Sequence, residues 1–456
     1  LAITCEGTID QFEKAFKTTI DAYAVDALFA PEAFVGGNAE FIAPSAPLQL
    51  PADIAPDVID VSGLETYTRP MPRMALTPTQ TRGLYGGAAI YGGSPTMRGE
   101  GRTIAISSFD GYRLTNVPLY ISYYGLPTPA GGANSNIHEV KIGGGLGTGT
   151  AAGEADLDIQ MVIGMAPLCE FYIYDSNNDL NGCLAREVSD NLADVISESY
   201  GWNLSATTYN AAHNNHLSMT AQGITYMCAS GDSGTTLTPY TYPDYDPEVL
   251  MVGGSVAVVN GSNARTSEVG WSGSGGGWVA NTATFNKLPS WQKGTGVPTT
   301  VNYRLVPDIA LHANGGTTGA YPYYYNGSRT TAYSGTSFSS PVFAGLLGIG
   351  QQKLISLGGL PANGAGKRRM GRIQDVLYAQ NGRSDVWYDI TSGSNGTLLS
   401  AVNGSTTSSA HAGWDFVTGW GAINMDAFIA TQAPRSEEHT SELQSRQYLV
   451  CRLLLE

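Results

Sequence analysis

Five short apolar runs recur along the middle of the chain: TIAISSF (103–109), CEFYIY (169–174), DVISESY (194–200), GITYMCAS (223–230) and VLMVGG (249–254). Helical patterns lie between them at 154–165, 180–192 and 207–221. A strand that is apolar at nearly every position has to be covered on both faces, and strands joined through helices run parallel. The pattern predicts an α/β fold over 73–434, a doubly wound and mostly parallel sheet flanked by helices. Ligands of such sheets bind outside the carboxyl ends of the strands.

The two ends have a different texture. In TIDQFEKAFKTTIDAY, Ile9, Phe12, Phe16 and Ile20 fall on one helical face, with Thr8 as the cap. LPADIAPDVIDVSGL reads as a helical turn leading into a short strand, so 1–72 is expected to hold a small α+β unit and its linker, ETYTRPMPRM, whose Pro and Arg content suits cleavage. At the other end, 435–456 turns from polar to Leu-rich after Ala433 and Pro434. It resembles the translation of a sequencing adapter and is expected to be non-biological, a natural flexible tail being the alternative.

Composition excludes some partners. A formal charge of -15, from 39 acidic and 24 basic residues, argues against a nucleic-acid surface. The longest apolar stretches, such as VFAGLLGIG from Val342, are too short to span a bilayer, so no membrane partner is expected. No charged n-region with an apolar core opens the sequence, and its true start is expected upstream. An acidic, Lys-poor surface suits work at low pH. The five Cys make neither a disulfide framework nor a CxxC metal spacing; Cys169 and Cys183 pair or remain buried thiols.

The chemistry centres on YSGTSFSSPVFAG (333–345), where Ser337 follows a glycine turn and precedes a buried helix whose first turn suits Pro341. Ser337 is either a helix cap or a nucleophile, and a hydroxyl nucleophile needs a base. None of the six His sits in the HGTxVAG setting of subtilisin-like enzymes. The corresponding stretch reads GTGTAAGEADLDIQMVIGMAP, in which Glu154 and Asp158, four apart, share one helical face. Two close carboxyls hold one proton between them and form a base that works in acid, where His is protonated and useless. Alternatively both are acids interacting with the helix dipole. In MCASGDSG, Asp232 occupies a Gly-flanked turn after an apolar strand, either as a plain turn residue or, when protonated, as an oxyanion donor.

Taken together and in this order, GEADLD, ASGDSG and SGTSFSSP resemble the sedolisin family of serine-carboxyl peptidases, over nearly all of 1–434. The resemblance implies a subtilisin-like fold with a Ser337, Glu154 and Asp158 triad, Asp232 at the oxyanion, and endopeptidase or tripeptidyl peptidase activity on polypeptides in acid. The amino-terminal unit is similar to the end of the family's prodomain, an intramolecular inhibitor of a secreted, monomeric zymogen, with the processing bond between 69 and 76. WSGSGGGW and PSWQ also match. Gly275 to Gly277 would let a backbone approach and Trp278 would wall a pocket, a surface loop being the alternative. Tyr200 in SESYGW stands where many relatives have Trp.

Near the chain end, YDITSGSNG and AHAGWDFVTGWG are Gly-rich turns, each with an Asp. The family match implies one structural Ca²⁺ held by the Asp389 and Asp415 side chains and the carbonyls of Ile390, His411 and Gly413, His411 departing from the usual Gly. Hard oxygen donors of this kind suit calcium. Two rival readings are a silent binding protein on the same scaffold and a neutral enzyme that uses a His.

Overall fold

A computed structural model of the chain describes residues 7–24, 40–53, 55, 64, 75–147, 153–260, 262–315 and 319–434. The linker 65–74, most of LPADIAPDVIDVSGL and the tail 435–456 lie outside the described residues. Two compact units divide the chain, Leu1–Pro72 and Arg73–Glu456.

In the first unit α1 (Ile9–Phe16) starts after Thr8, whose N–H donates to Gln11 Oε1 at 2.8 Å, a helix-start arrangement that satisfies an otherwise unpaired donor. Phe12 and Phe16 stack one turn apart, with centroids 6.3 Å from each other. Ile20 does not extend this face. Lys17 enters the left-handed region (φ 47°) and ends the helix, and Ile20 opens β1 (Ile20–Ala24), antiparallel to β2 (Glu40–Pro44).

The second unit begins with α2 (Pro78–Leu84) and α3 (Gly87–Tyr91). It continues through β3 (Thr103–Ser108), α4 (Asn116–Tyr124), β4 (Ile137–Ile142), α5 (Glu154–Met165), β5 (Glu170–Ser176), α6 (Leu180–Asp190) and β6 (Val195–Glu198). Next come α7 (Ala206–Gln222), β7 (Thr225–Ala229), β8 (Leu250–Val259), β9 (Arg265–Gly270) and β10 (Ile309–His312). The sheet order is β10-β8-β7-β6-β3-β5-β4, parallel throughout, and β9 pairs antiparallel with β8. A hairpin of β11 (Tyr323–Tyr325) and β12 (Ser328–Thr330) then leads into α8 (Thr336–Ser356).

Successive strand residues serve opposite layers. Ile104 and Ile106 join the core that includes α5 and α8, whereas Ala105 joins the one that includes α6 and α7. Leu250 and Val252 repeat the first assignment and Met251 the second. This two-sided burial is why the strands read as continuous apolar runs.

Every residue of α8 from Thr336 to Gln351 is buried, which requires a helix apolar or small on all sides. Its crossing with α5 depends on Gly345, since a Cβ there would lie 2.6 Å from Met165 Cβ. Pro341 is inside α8 and not in its first turn, because the helix already begins at Thr336. Lacking an N–H, Pro341 leaves the Ser337 carbonyl without its usual donor. The Ser199 hydroxyl lies 3.5 Å from that oxygen. Cys169, Cys183 and Cys228 are buried free thiols. Among the described residues, no helix is long and apolar enough to cross a membrane.

Candidate active site

The candidate residues gather where the parallel strands end. Asp110 follows β3, Ser199 follows β6 and Asp232 follows β7, while Glu154 opens α5 and Ser337 sits in the first turn of α8. Two hydrogen bonds tie the helix starts to the strand ends. The Glu154 N–H donates to Asp110 Oδ2 at 3.1 Å, and the Thr336 N–H donates to Asp232 Oδ1 at 2.8 Å. Both use backbone donors that the first turn of a helix leaves without partners.

Glu154 and Asp158 stand one turn apart on α5, and Asp158 is 0% exposed. Burial pushes the Glu154 carboxyl above its ordinary range, and the charges of Asp232 and Asp110 add to the shift; the nearby Ser337 hydroxyl pulls the other way. Asp158 is driven well up, first by burial and then by the charge of Glu154. The Ser199 hydroxyl, donating to Asp158 Oδ1 at 2.8 Å, opposes this. One oxygen of each acid, Glu154 Oε1 and Asp158 Oδ2, is buried without a hydrogen-bond partner among the described residues. Two desolvated acids with bare oxygens favour retention of a proton.

Asp232 is held by one oxygen. Both the N–H and the hydroxyl of Thr336 donate to Oδ1, at 2.8 and 3.0 Å. Oδ2 lies beside Gly335, where a Cβ would come within 2.7 Å of it, so glycine at 335 is what leaves this oxygen room. The residue is exposed at the cavity, and desolvation of its carboxyl there still raises it above the ordinary range, with the Thr336 bonds opposing. Ser337, Thr336 and Asp232 line one cavity together with Ser199 and Tyr200.

Gly275 and Gly276 do permit close backbone approach, since a Cβ would meet the Ser230 carbonyl oxygen at 1.6 Å and that of Phe416 at 1.8 Å, and Gly275 lines the cavity. Trp278 does not line it; the ring is buried against Phe416, with centroids 5.6 Å apart. Tyr200 lines it and meets Phe109 edge-on at 5.2 Å. The described histidines are engaged elsewhere. His138 pairs with Glu170, His213 and His216 share Asp246, His312 bonds to Ala257 and Asn314, and His411 lies against the Ala412 carbonyl. His439 lies outside the described residues.

The five calcium candidates are also neighbours. The Gly413 N–H donates to Asp389 Oδ2 at 3.0 Å across 24 residues, and Gly413 has φ +81°. Asp415 is 1% exposed and accepts from the N–H groups of His411, Val417 and Thr418. No Lys or Arg pairs with it among the described residues, and burial pushes it up to about 6. A desolvated carboxylate without a cationic side chain, a second carboxylate and turn carbonyls form a donor set that fits a hard cation. No group of three or more His, Cys, Asp or Glu side chains that could hold a metal occurs among the described residues.

Sequence reading passes over three side chains at this site: Asp110, Ser199 and Thr336. The first two share a signal, a polar residue just past an apolar strand of the parallel sheet, where the loops form the ligand crevice.

This is the scaffold of a subtilisin-like serine peptidase, with acidic and hydroxyl side chains gathered at its strand ends. The sequence profile described as Subtilase family matches residues 125–421, and the chain belongs to that family. Its relatives make it a peptidase of the sedolisin type. Sedolisin of Pseudomonas sp. (strain 101) is 27% identical, covering 93% of this chain and 74% of the relative. Kumamolisin of Bacillus sp. (strain MN-32) is 29% identical over 82% of this chain and 70% of its own length. Tripeptidyl-peptidase 1 of Homo sapiens is 26% identical over 87% and 74%. Among solved structures, Pseudomonas sedolisin, a serine-carboxyl proteinase complexed with two molecules of pseudo-iodotyrostatin, has a TM-score of 0.62. It is 24% identical, covers 78% of this chain and 98% of its own, and is a likeness of fold.

Proposed function

We propose that this chain is an acid-active serine-carboxyl peptidase that forms an acyl-enzyme on Ser337, with Glu154 and Asp158 as the base. The observation that carries the reading is the pair of carboxyls on one turn of α5, Asp158 fully buried and Glu154 half-buried beside the Ser337 hydroxyl, each with a bare buried oxygen. One proton on this pair is the donor those oxygens lack, and the pair titrates as a unit.

In the forward step Glu154 takes the Ser337 proton as Oγ bonds to the scissile carbonyl carbon. The carbonyl oxygen becomes an oxyanion, stabilised by the Ser337 N–H at the start of α8 and by protonated Asp232. Glu154 then passes the proton to the leaving nitrogen, the C–N bond breaks and the acyl group remains on Oγ. Water repeats the sequence, giving its proton to Glu154 and releasing the acid. Asp158, held by Ser199, positions Glu154 and shares the proton.

The unit before the linker acts as the inhibitory prodomain of a secreted, monomeric zymogen, and cleavage between 69 and 76 releases the enzyme. Incubation of the full chain from about pH 3 to about pH 7, with casein assays and amino-terminal sequencing, tests both statements. Casein hydrolysis is greatest in acid, alongside a new terminus in that window. Hydrolysis that rises steadily to neutral pH overturns the carboxyl base and favours a histidine.

A Ca²⁺ ion fits Asp389 and Asp415 with the carbonyls of Ile390, His411 and Gly413. When bound it neutralises two carboxylates and pins together turns far apart in sequence. Chelation then lowers the melting temperature of the processed enzyme by about 5 °C, since removal of a tight ligand is worth a few kcal/mol. A melt unchanged by saturating chelator counts against this ligand set.

A further inference from the structure

The cavity beside Ser337 has polar groups that the acyl-transfer steps leave unused. It has a volume of about 320 Å³, and its lining includes Ser230 and Asp244 as well as Ser337, Thr336 and Asp232. Asp244 is 5% exposed and makes no side-chain hydrogen bond or ion pair among the described residues. Ser230 Oγ is buried and likewise has no partner. None of the lining residues is Lys, Arg or His, so Asp232 and Asp244 are the only ionisable acids or bases there apart from tyrosines. Burial drives the Asp244 carboxyl well up, and the one charge that opposes this is Arg304. That guanidinium is already committed to Asp308 at 2.5 Å and to the Val249 carbonyl at 3.2 Å.

A substrate carbonyl held between Ser337 and Asp232 would have this cavity, which both residues line, beside the side chain of its own residue. An apolar side chain would seal Asp244 away from water with no partner, which is costly for a buried polar group. An acidic one would bring a further carboxyl to two already desolvated. A lysine ammonium or an arginine guanidinium carries donors alone, and the Asp244 carboxyl is an acceptor without a partner among the described residues. Its charge also favours the ionised form of Asp244.

We infer that Asp244 is a specificity-determining residue, selecting substrates with Lys or Arg on the acyl side of the cleaved bond. The inference rests on Ser337 being the nucleophile proposed above. Matched fluorogenic peptides that differ only at this residue, carrying Lys, Arg, norleucine or Glu, are compared by kcat/KM in the processed enzyme and its Asp244→Asn variant. The wild type favours Lys and Arg over norleucine by at least about tenfold, and Asp244→Asn reduces the ratio to within about threefold. A wild type that favours norleucine or Glu overturns the inference without recourse to any variant. A ratio that persists in a folded Asp244→Asn protein overturns it as well. Ser337→Ala, assayed in parallel, separates the two readings. Cleavage that persists there removes the nucleophile, whereas lost cleavage beside a flat wild-type profile removes the Asp244 inference alone.

Discussion

Ser337→Ala lowers the turnover of any peptide substrate by about 10⁴-fold or more, while leaving the fold intact. The substitution deletes a single oxygen from a residue that is 9% exposed in the first turn of α8, so no packing is lost. Only the hydroxyl beside Glu154 disappears. Glu154→Gln has the companion effect. It keeps the size of the side chain and the Glu154 N–H bond to Asp110, but it removes the proton acceptor, at roughly 10² to 10⁴-fold in kcat. Because serine and base act as a unit, the double variant is little worse than Ser337→Ala alone. Casein hydrolysis and self-processing in acid, measured with melting curves as a folding control, check both. Self-processing by the Ser337→Ala protein would transfer the nucleophile's role to another residue.

How far the sequence speaks depends on whether a feature is local. The runs that form β3, β5, β6, β7 and the start of β8 are legible because each is buried on two faces, and α5, α6 and α7 fall close to their expected spans. The strand β4 is missed for the opposite reason. Its residues, Ile137 to Ile142, alternate between half-buried and exposed on the sheet edge and include His, Glu and Lys, so no apolar run marks them. Ile20 is legible as apolar but not as a strand residue, because the left-handed turn at Lys17 that ends α1 has no Gly to announce it. At the candidate site, Glu154, Asp158, Asp232 and Ser337 stand in short motifs and can be picked out as candidates from the chain. Their supports cannot. Thr336 holds Asp232 across 104 residues and Ser199 holds Asp158 across 41, pairings that exist only after the strands are ordered as β7-β6-β3-β5. Trp278 illustrates the converse error, in which a motif near the cleft is read as a wall although the ring turns into the core against Phe416.

The second large effect concerns Asp232, where alanine and asparagine should part company. Asp232→Ala removes the proposed oxyanion donor and lowers kcat by about 10² to 10³-fold. Asp232→Asn retains one. Both Thr336 donors go to Oδ1, so an amide oxygen takes that position and the amide N–H₂ takes the place of Oδ2, beside Gly335. The difference then lies in pH. A carboxyl donates only while protonated, and desolvation at the cavity raises this one above its ordinary range, so the donor is present in acid. As pH rises through the raised value the proton leaves, the donor is lost and a negative charge appears next to the developing oxyanion. An amide donates at every pH. The wild-type kcat profile therefore falls toward neutral pH, and the Asp232→Asn profile falls much less over the same range. If the asparagine variant instead loses activity at the same pH as the wild type, the limb belongs to Glu154 and Asp158, and Asp232 is no acid donor.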